Sequence, residues 1–224
     1  ALIPGVLKSK LGISEIINTL MMNYIALALT GVLIRDVLQD RTDYLPQSAL
    51  MVAELPKVLP PSRLHLGFFV AVLMVFFVWV FLDKTRFGYE MKVVGANARL
   101  ARCSGISISR NVILAAFLSG ALGGIAGAVE LLGVQHRLLE GITGGNGYTA
   151  ILVALLARNR PLGVLGVAIG FSALQVGANS MQRQMAVPSS IVAIITGFIV
   201  LLILGRTIVD EAIERVWRKI EKND

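Results

Sequence analysis

Polar residues recur at helical spacing inside stretches that are otherwise apolar. Glu15, Thr19, Asn23, Ala26 and Thr30 fall on one helix face, within an arc of roughly 80° at about 100° per residue. Ser172, Gln175 and Asn179 repeat the device, and Ser189, Ala193, Thr196 and Gly197 repeat it again. Gly123, Gly127 and Glu130 share another face, with Gly120 and Gly124 beside them in a small-xxx-small pattern that allows close helix approach. Such residues can bond helix to helix, each for about 0.6–2 kcal/mol, or line a polar route through a bilayer. Three stripes in one chain favour the route. Glu130 has two readings: a pair with Arg137, or a wall of that route. No other chemistry is legible. There is no Gly-x-x-x-x-Gly-Lys-Ser/Thr phosphate loop, His-Glu-x-x-His, Cys-x-x-Cys or Gly-x-Ser-x-Gly. His65 and His136 stand alone as interfacial polar residues, and Cys103, the single cysteine, reads as a packing residue.

The elements that must carry these stripes are membrane helices. The 224 residues are 55% hydrophobic and 16% charged, against about 25% charged in a soluble domain. Six apolar segments stand out: Ile16–Ile34, Gly67–Leu82, Asn111–Leu132, Gly147–Ala157, Leu162–Ala178 and Pro188–Gly205. A crossing needs about 20 residues, so Gly147–Ala157 is too short. It follows the helix-breaking run 141–147, and a broken segment is tolerated only inside protein or beside a watery cavity. Fifteen of the 21 Lys and Arg lie in 1–15, 83–110, 158–161 and 206–224, and six in 35–66, 133–146 and 179–187. The basic side is expected to be cytoplasmic, with the C-terminus and the Arg158–Pro161 turn. This topology accounts for the +7 charge without nucleic acid. The loop 35–66 is expected outside, with a short helix near Ser48–Glu54. No signal peptide is recognisable, and a start without Met in an apolar stretch reads as a partial chain.

The loop after the second span runs from Thr85 to Ile106, and Thr85, Gly88, Gly95, Asn97, Ala101, Gly105 and Ile106 fit T-x-x-G-x-x-x-x-x-x-G-x-N-x-x-A-x-x-x-G-I. With three residues between Asn97 and Ala101, so that the run ends N-x-x-x-A-x-x-x-G-I, this resembles the permeases of the ribose, branched-chain amino-acid and nucleoside ABC importers. The run 147–163 is similar to the nucleoside, purine-lipoprotein-linked branch, with its G-Y/F-x-x-I-x-V-A-L-L-G-R-N-x-P-x-G. So is the stretch from Lys8 to Tyr24, with Glu15, Ile16, Ile17, Thr19, Leu20, Met21, Asn23 and Tyr24 in place. Ala157 replaces the usual Gly of that branch, and Arg160 a frequent His.

The resemblance covers nearly the whole chain. It implies an all-α polytopic bundle of the type II importer kind, a single permease domain over 1–224 with N-terminal spans missing. It also implies partners: a cytoplasmic ABC ATPase that uses the ATP, a second permease subunit in a heterodimer, an outer substrate-binding lipoprotein, and membrane lipid. No cofactor, metal or catalytic group is expected on this chain, which would sit in a prokaryotic plasma membrane. Glu15, Thr19, Asn23, Glu130, Ser172, Gln175 and Asn179 would then line the substrate path. Tyr148, Arg158, Asn159, Arg160 and Pro161 would couple it to the ATPase, with Gly88, Gly95, Asn97 and Gly105 in a second cytoplasmic loop. The rival is an ion-coupled secondary transporter or channel, which should carry paired ionisable residues at midplane. Glu15 and Glu130 lie near span ends instead.

Overall fold

A computed structural model describes residues 1–39, 47–51, 55–56, 58, 64–185, 194, 197–198 and 205. The chain divides into two units, Ala1–Gly144 and Gly145–Asp224. In the first, α1 (Leu2–Leu11) precedes α2 (Glu15–Val32), which runs on through a π-helical turn at Leu33–Val37. Then come α3 (Gly67–Lys84), α4 (Arg86–Ala96), α5 (Ala98–Cys103) and α6 (Ile108–Glu130), extended by a second π-helical turn at Leu131–Gln135. The second unit holds α7 (Asn146–Leu156) and α8 (Pro161–Met185).

The chain is an all-α, multi-pass membrane protein. Four helical stretches, Glu15–Val37, Gly67–Lys84, Ile108–Gln135 and Pro161–Gln184, are long and apolar enough to cross a bilayer. At most 6% of each hydrophobic window is buried within the chain, so lipid or other protein must cover the rest. Helices suit this because each satisfies its own backbone where no water can. The 11 residues of α7 reach about 17 Å at 1.5 Å per residue, half of a ~30 Å core. The expected half helix is therefore present, and Gly141, Gly144 and Gly145, all with positive φ, form the break before it. The sixth expected span, Pro188–Gly205, lies almost wholly outside the described residues.

Close approach sets the packing of the first unit. α1 runs antiparallel to the first half of α6. A Cβ on Gly5 would lie 2.7 Å from that of Ala116, and one on Gly120 would collide with Ala1. Gly67, opening α3, has no room for a Cβ beside Val129 and His65. Among the described residues nothing lies within 4 Å of a Cβ built at Gly123, Gly124 or Gly127, where a tight face is expected, while Gly120 of the same stretch is approached by Ala1.

Ser48–Met51 is not helical, contrary to expectation; Val52–Glu54 lies outside the described residues. The segment pairs instead with the end of α6. The N–H groups of Ser48, Met51 and Leu55 donate to the carbonyls of Leu138, His136 and Leu132 at 3.1, 3.0 and 3.1 Å, and the Leu138 N–H donates to Ser48 Oγ at 2.9 Å. A helix end leaves carbonyls without intrahelical partners, and this demand outweighs the weak helical signal of 48–51.

Candidate functional site

The stripe on α2 is partly consumed by its own helix. Thr19 Oγ1 donates to the Glu15 carbonyl at 2.8 Å and the Ile16 carbonyl at 3.1 Å. Thr30 Oγ1 donates to the Ala26 carbonyl at 2.8 Å. The Glu15 carboxylate pairs with Lys8 of α1, and Asn18 Nδ2 reaches the Pro4 carbonyl at 3.3 Å. Asn23 is exposed. Glu15 and Thr19 are nonetheless brought together in the wall of a cavity of about 360 Å³, with Ala1, Pro4, Lys8, Val112 and Ser119 opposite.

At the other end of α6, Glu130 is half-buried, and among the described residues it forms no ion pair with Arg137. One ion pair that the sequence reading missed is Arg35 with Glu140: Arg35 Nη2 donates to both carboxylate oxygens at 3.1 and 3.0 Å, tying the turn after α2 to the segment after α6. His65 Nδ1 accepts the Gly67 N–H at 3.1 Å, and its ring also presses on Gly133. His136 takes φ 54°, and its buried Nδ1 has no partner among the described residues. Among those residues no three His, Cys, Asp or Glu side chains converge as metal ligands would.

The 85–106 motif explains itself residue by residue. Thr85 Oγ1 accepts the Gly88 N–H at 3.2 Å and donates to the Phe81 carbonyl at 2.6 Å, so one hydroxyl ends α3 and caps α4. A Cβ on Gly88 would strike the backbone of Phe81 and Leu82. Asn97 Oδ1 accepts from the N–H groups of Arg99 and Leu100 at 2.9 and 3.2 Å, the N-cap of α5. Ala101 is fully buried. Gly105, at φ 74°, closes α5 in a Schellman motif, with Ile106 N–H on the Ala101 carbonyl at 2.9 Å and Gly105 N–H on the Arg102 carbonyl at 3.1 Å. Gly95 has open space around it, and nothing in the structure explains that glycine. Lys92 pairs with Asp83, binding α4 back to α3. The sequence reading missed the other anchor: Asn111 of α6, 3% exposed, bonds to Glu90 of α4 at 3.4 Å. Its signal was a lone amide in the first turn of an apolar helix.

In the second unit, α7 ends in another Schellman motif: Asn159 N–H meets the Ala154 carbonyl and Arg158 N–H the Leu155 carbonyl, both at 2.9 Å. Arg158 and Asn159 are left-handed at φ 53° and 55°, where glycine is usual. Ala157 keeps φ −75°, so its methyl is accommodated where the related branch has Gly. Pro161 opens α8, a position that forgoes no hydrogen bond. Tyr148, Arg158, Asn159 and Arg160 are exposed, as are Ser172, Gln175 and Asn179 along α8.

The family described as branched-chain amino acid transport system / permease component matches residues 1–204. This chain belongs to that family. Among curated members of known name, the guanosine ABC transporter permease protein NupP of Bacillus subtilis is 36% identical over 98% of this chain and 64% of its own length. The nucleoside ABC transporter permease protein NupB of Lactococcus lactis is 33% identical over 93% and 60%. The glucose ABC transporter permease protein TsgB13 of Haloferax volcanii is 34% identical over 90% and 56%. The chain thus spans about three-fifths of the length of these relatives. No solved structure gave a significant match.

Proposed function

We propose that this chain serves in the permease subunit of an ATP-driven importer of nucleosides or related sugars. The observation that carries the reading is 36% identity, across 98% of the chain, to a guanosine permease protein. The polar stripes of α2 and α8, the half helix α7 and the uneven distribution of Lys and Arg support it. Glu15, Thr19, Asn23, Glu130, Ser172, Gln175 and Asn179 line the substrate route. The Tyr148–Pro161 segment couples that route to a cytoplasmic ATPase, which alone hydrolyses ATP, while this chain has no catalytic role. A second permease subunit completes a heterodimer, and a substrate-binding lipoprotein delivers the nucleoside from outside. The C-terminus and the Arg158–Pro161 turn face the cytoplasm of a prokaryotic cell, because positive charge is retained on that side.

The test is uptake by cells carrying the full-length subunit with its ATPase, second permease and lipoprotein. Labelled guanosine should enter, and entry should stop when the phosphate-loop Lys of the ATPase is replaced. Uptake that survives this change but collapses with the ion gradient would identify a secondary transporter and overturn the reading. In the same assay Glu130→Gln should lower uptake at an unchanged amount of subunit in the membrane. Wild-type uptake would return Glu130 to the role of an interfacial acid.

A further inference from the structure

Asn111 is a buried amide that does only half of what an amide can do. Its Nδ2 donates to the Ser107 carbonyl at 3.0 Å and to Glu90 Oε2 at 3.4 Å. Its Oδ1 is buried with no partner among the described residues. Turning the amide over would set the oxygen against a carbonyl and a carboxylate, so the two acceptors fix its orientation. A leucine would fill the same space without burying an unpaired acceptor, which is an unfavourable thing to retain. The donor half is therefore what the site requires, and its long-range acceptor is Glu90.

Glu90 belongs to a helix held from two sides. Its carboxylate is 19% exposed and also takes Arg86 Nε at 3.1 Å, while Arg86 itself is 89% exposed. Phe87, one turn before Glu90 on α4, lies under the Arg110 guanidinium at 5.5 Å. Two adjacent residues of α6, Arg110 and Asn111, thus grip two residues of α4 on one face. The Lys92–Asp83 pair and the Gly88 contact fix the same helix to α3.

We propose that Glu90 and Asn111 form a positioning joint that carries movement of the α4–α5 corner into the transmembrane helix α6. The proposal rests on the permease reading above, and the joint stays closed while both helices move together. Neither residue touches the transported molecule.

The test uses the full-length subunit in its complex and reads guanosine carried per ATP hydrolysed. Asn111→Leu and Glu90→Ala should each lower that ratio at least about fivefold, the lower end for energetic coupling between sites. Glu90→Gln keeps an acceptor for Nδ2 and should retain the ratio within about twofold. The double variant Glu90→Ala/Asn111→Leu should be no worse than either single one, because both remove the same contact. A ratio unchanged in both single variants overturns the joint. To separate transmission from folding, Glu90→Cys/Asn111→Cys is made in a Cys103→Ser background and bridged with a short bifunctional thiosulfonate that a reductant removes. Bridged protein should be well coupled and the same protein after reduction poorly coupled. If bridging fails to restore the ratio, the joint is refuted even though the permease reading stands. If the wild-type complex shows no ATP-dependent uptake at all, the permease reading falls, and the joint with it.

Discussion

Two connections between helices, 85–106 in the first unit and 158–161 in the second, are built on opposite terms. In the first, nearly every motif residue meets a backbone demand: Thr85 and Asn97 cap, Gly88 permits contact, Ala101 is buried and Gly105 turns left-handed. In the second, Arg158 and Asn159 occupy left-handed positions that glycine would fill with less strain, and their side chains are exposed. One stretch selects residues for shape, whereas the other accepts strain to display an arginine and an amide. On the proposed function, the first is the part that transmits force and the second the part that the ATPase recognises.

The comparison breaks most severely at Gly88. Gly88→Val drives a branched side chain into the Phe81 and Leu82 backbone, which cannot step aside as a flexible side chain would. A loss of about 3 kcal/mol or more is expected, read as a large fall in the thermal midpoint of the detergent-solubilised subunit. A midpoint within the error of wild type would mean that the corner is far looser than its contacts imply. Next comes Asn97→Ala, which leaves two N–H groups of α5 without their acceptor; about 1 kcal/mol should be lost, with Asn97→Asp close to neutral. Equal losses in the two variants would show that the cap is not what holds α5. An effect on stability of similar size but opposite sign is expected at the turn. Arg158→Gly should raise stability by about 1 kcal/mol, because glycine carries no left-handed penalty, yet co-purification of the ATPase should fall. A variant both more stable and fully bound to its partner would leave the arginine without a purpose.

Much of this was legible in sequence because it depends on local pattern. Apolar runs located α2, α3, α6 and α8, and the glycines of 141–147 announced the half helix. What stayed hidden depends on contacts between distant residues. The π-helical turns extend α2 and α6 beyond their apolar runs, and nothing in residues 33–37 or 131–135 signals that extension. Arg35 and Glu140 meet across 105 positions, a separation that no periodicity reveals. At Gly123 and Gly127 no described residue comes within 4 Å of a Cβ, because small residues permit contact and do not themselves supply a neighbour. The motif at 85–106 was recognised as a pattern before its reasons were visible, since caps and corners become apparent only when the partner groups are in view.

Before α3, the N–H groups of Ser48, Met51 and Leu55 donate to the carbonyls of Leu138, His136 and Leu132 at the exit from α6. Connections of this kind ordinarily gain and lose residues freely as a family diverges. Here a single residue inserted between Ser48 and Met51 would carry the Met51 N–H away from the His136 carbonyl. The spacing of those two donors is therefore set by main-chain groups, whatever side chains they carry.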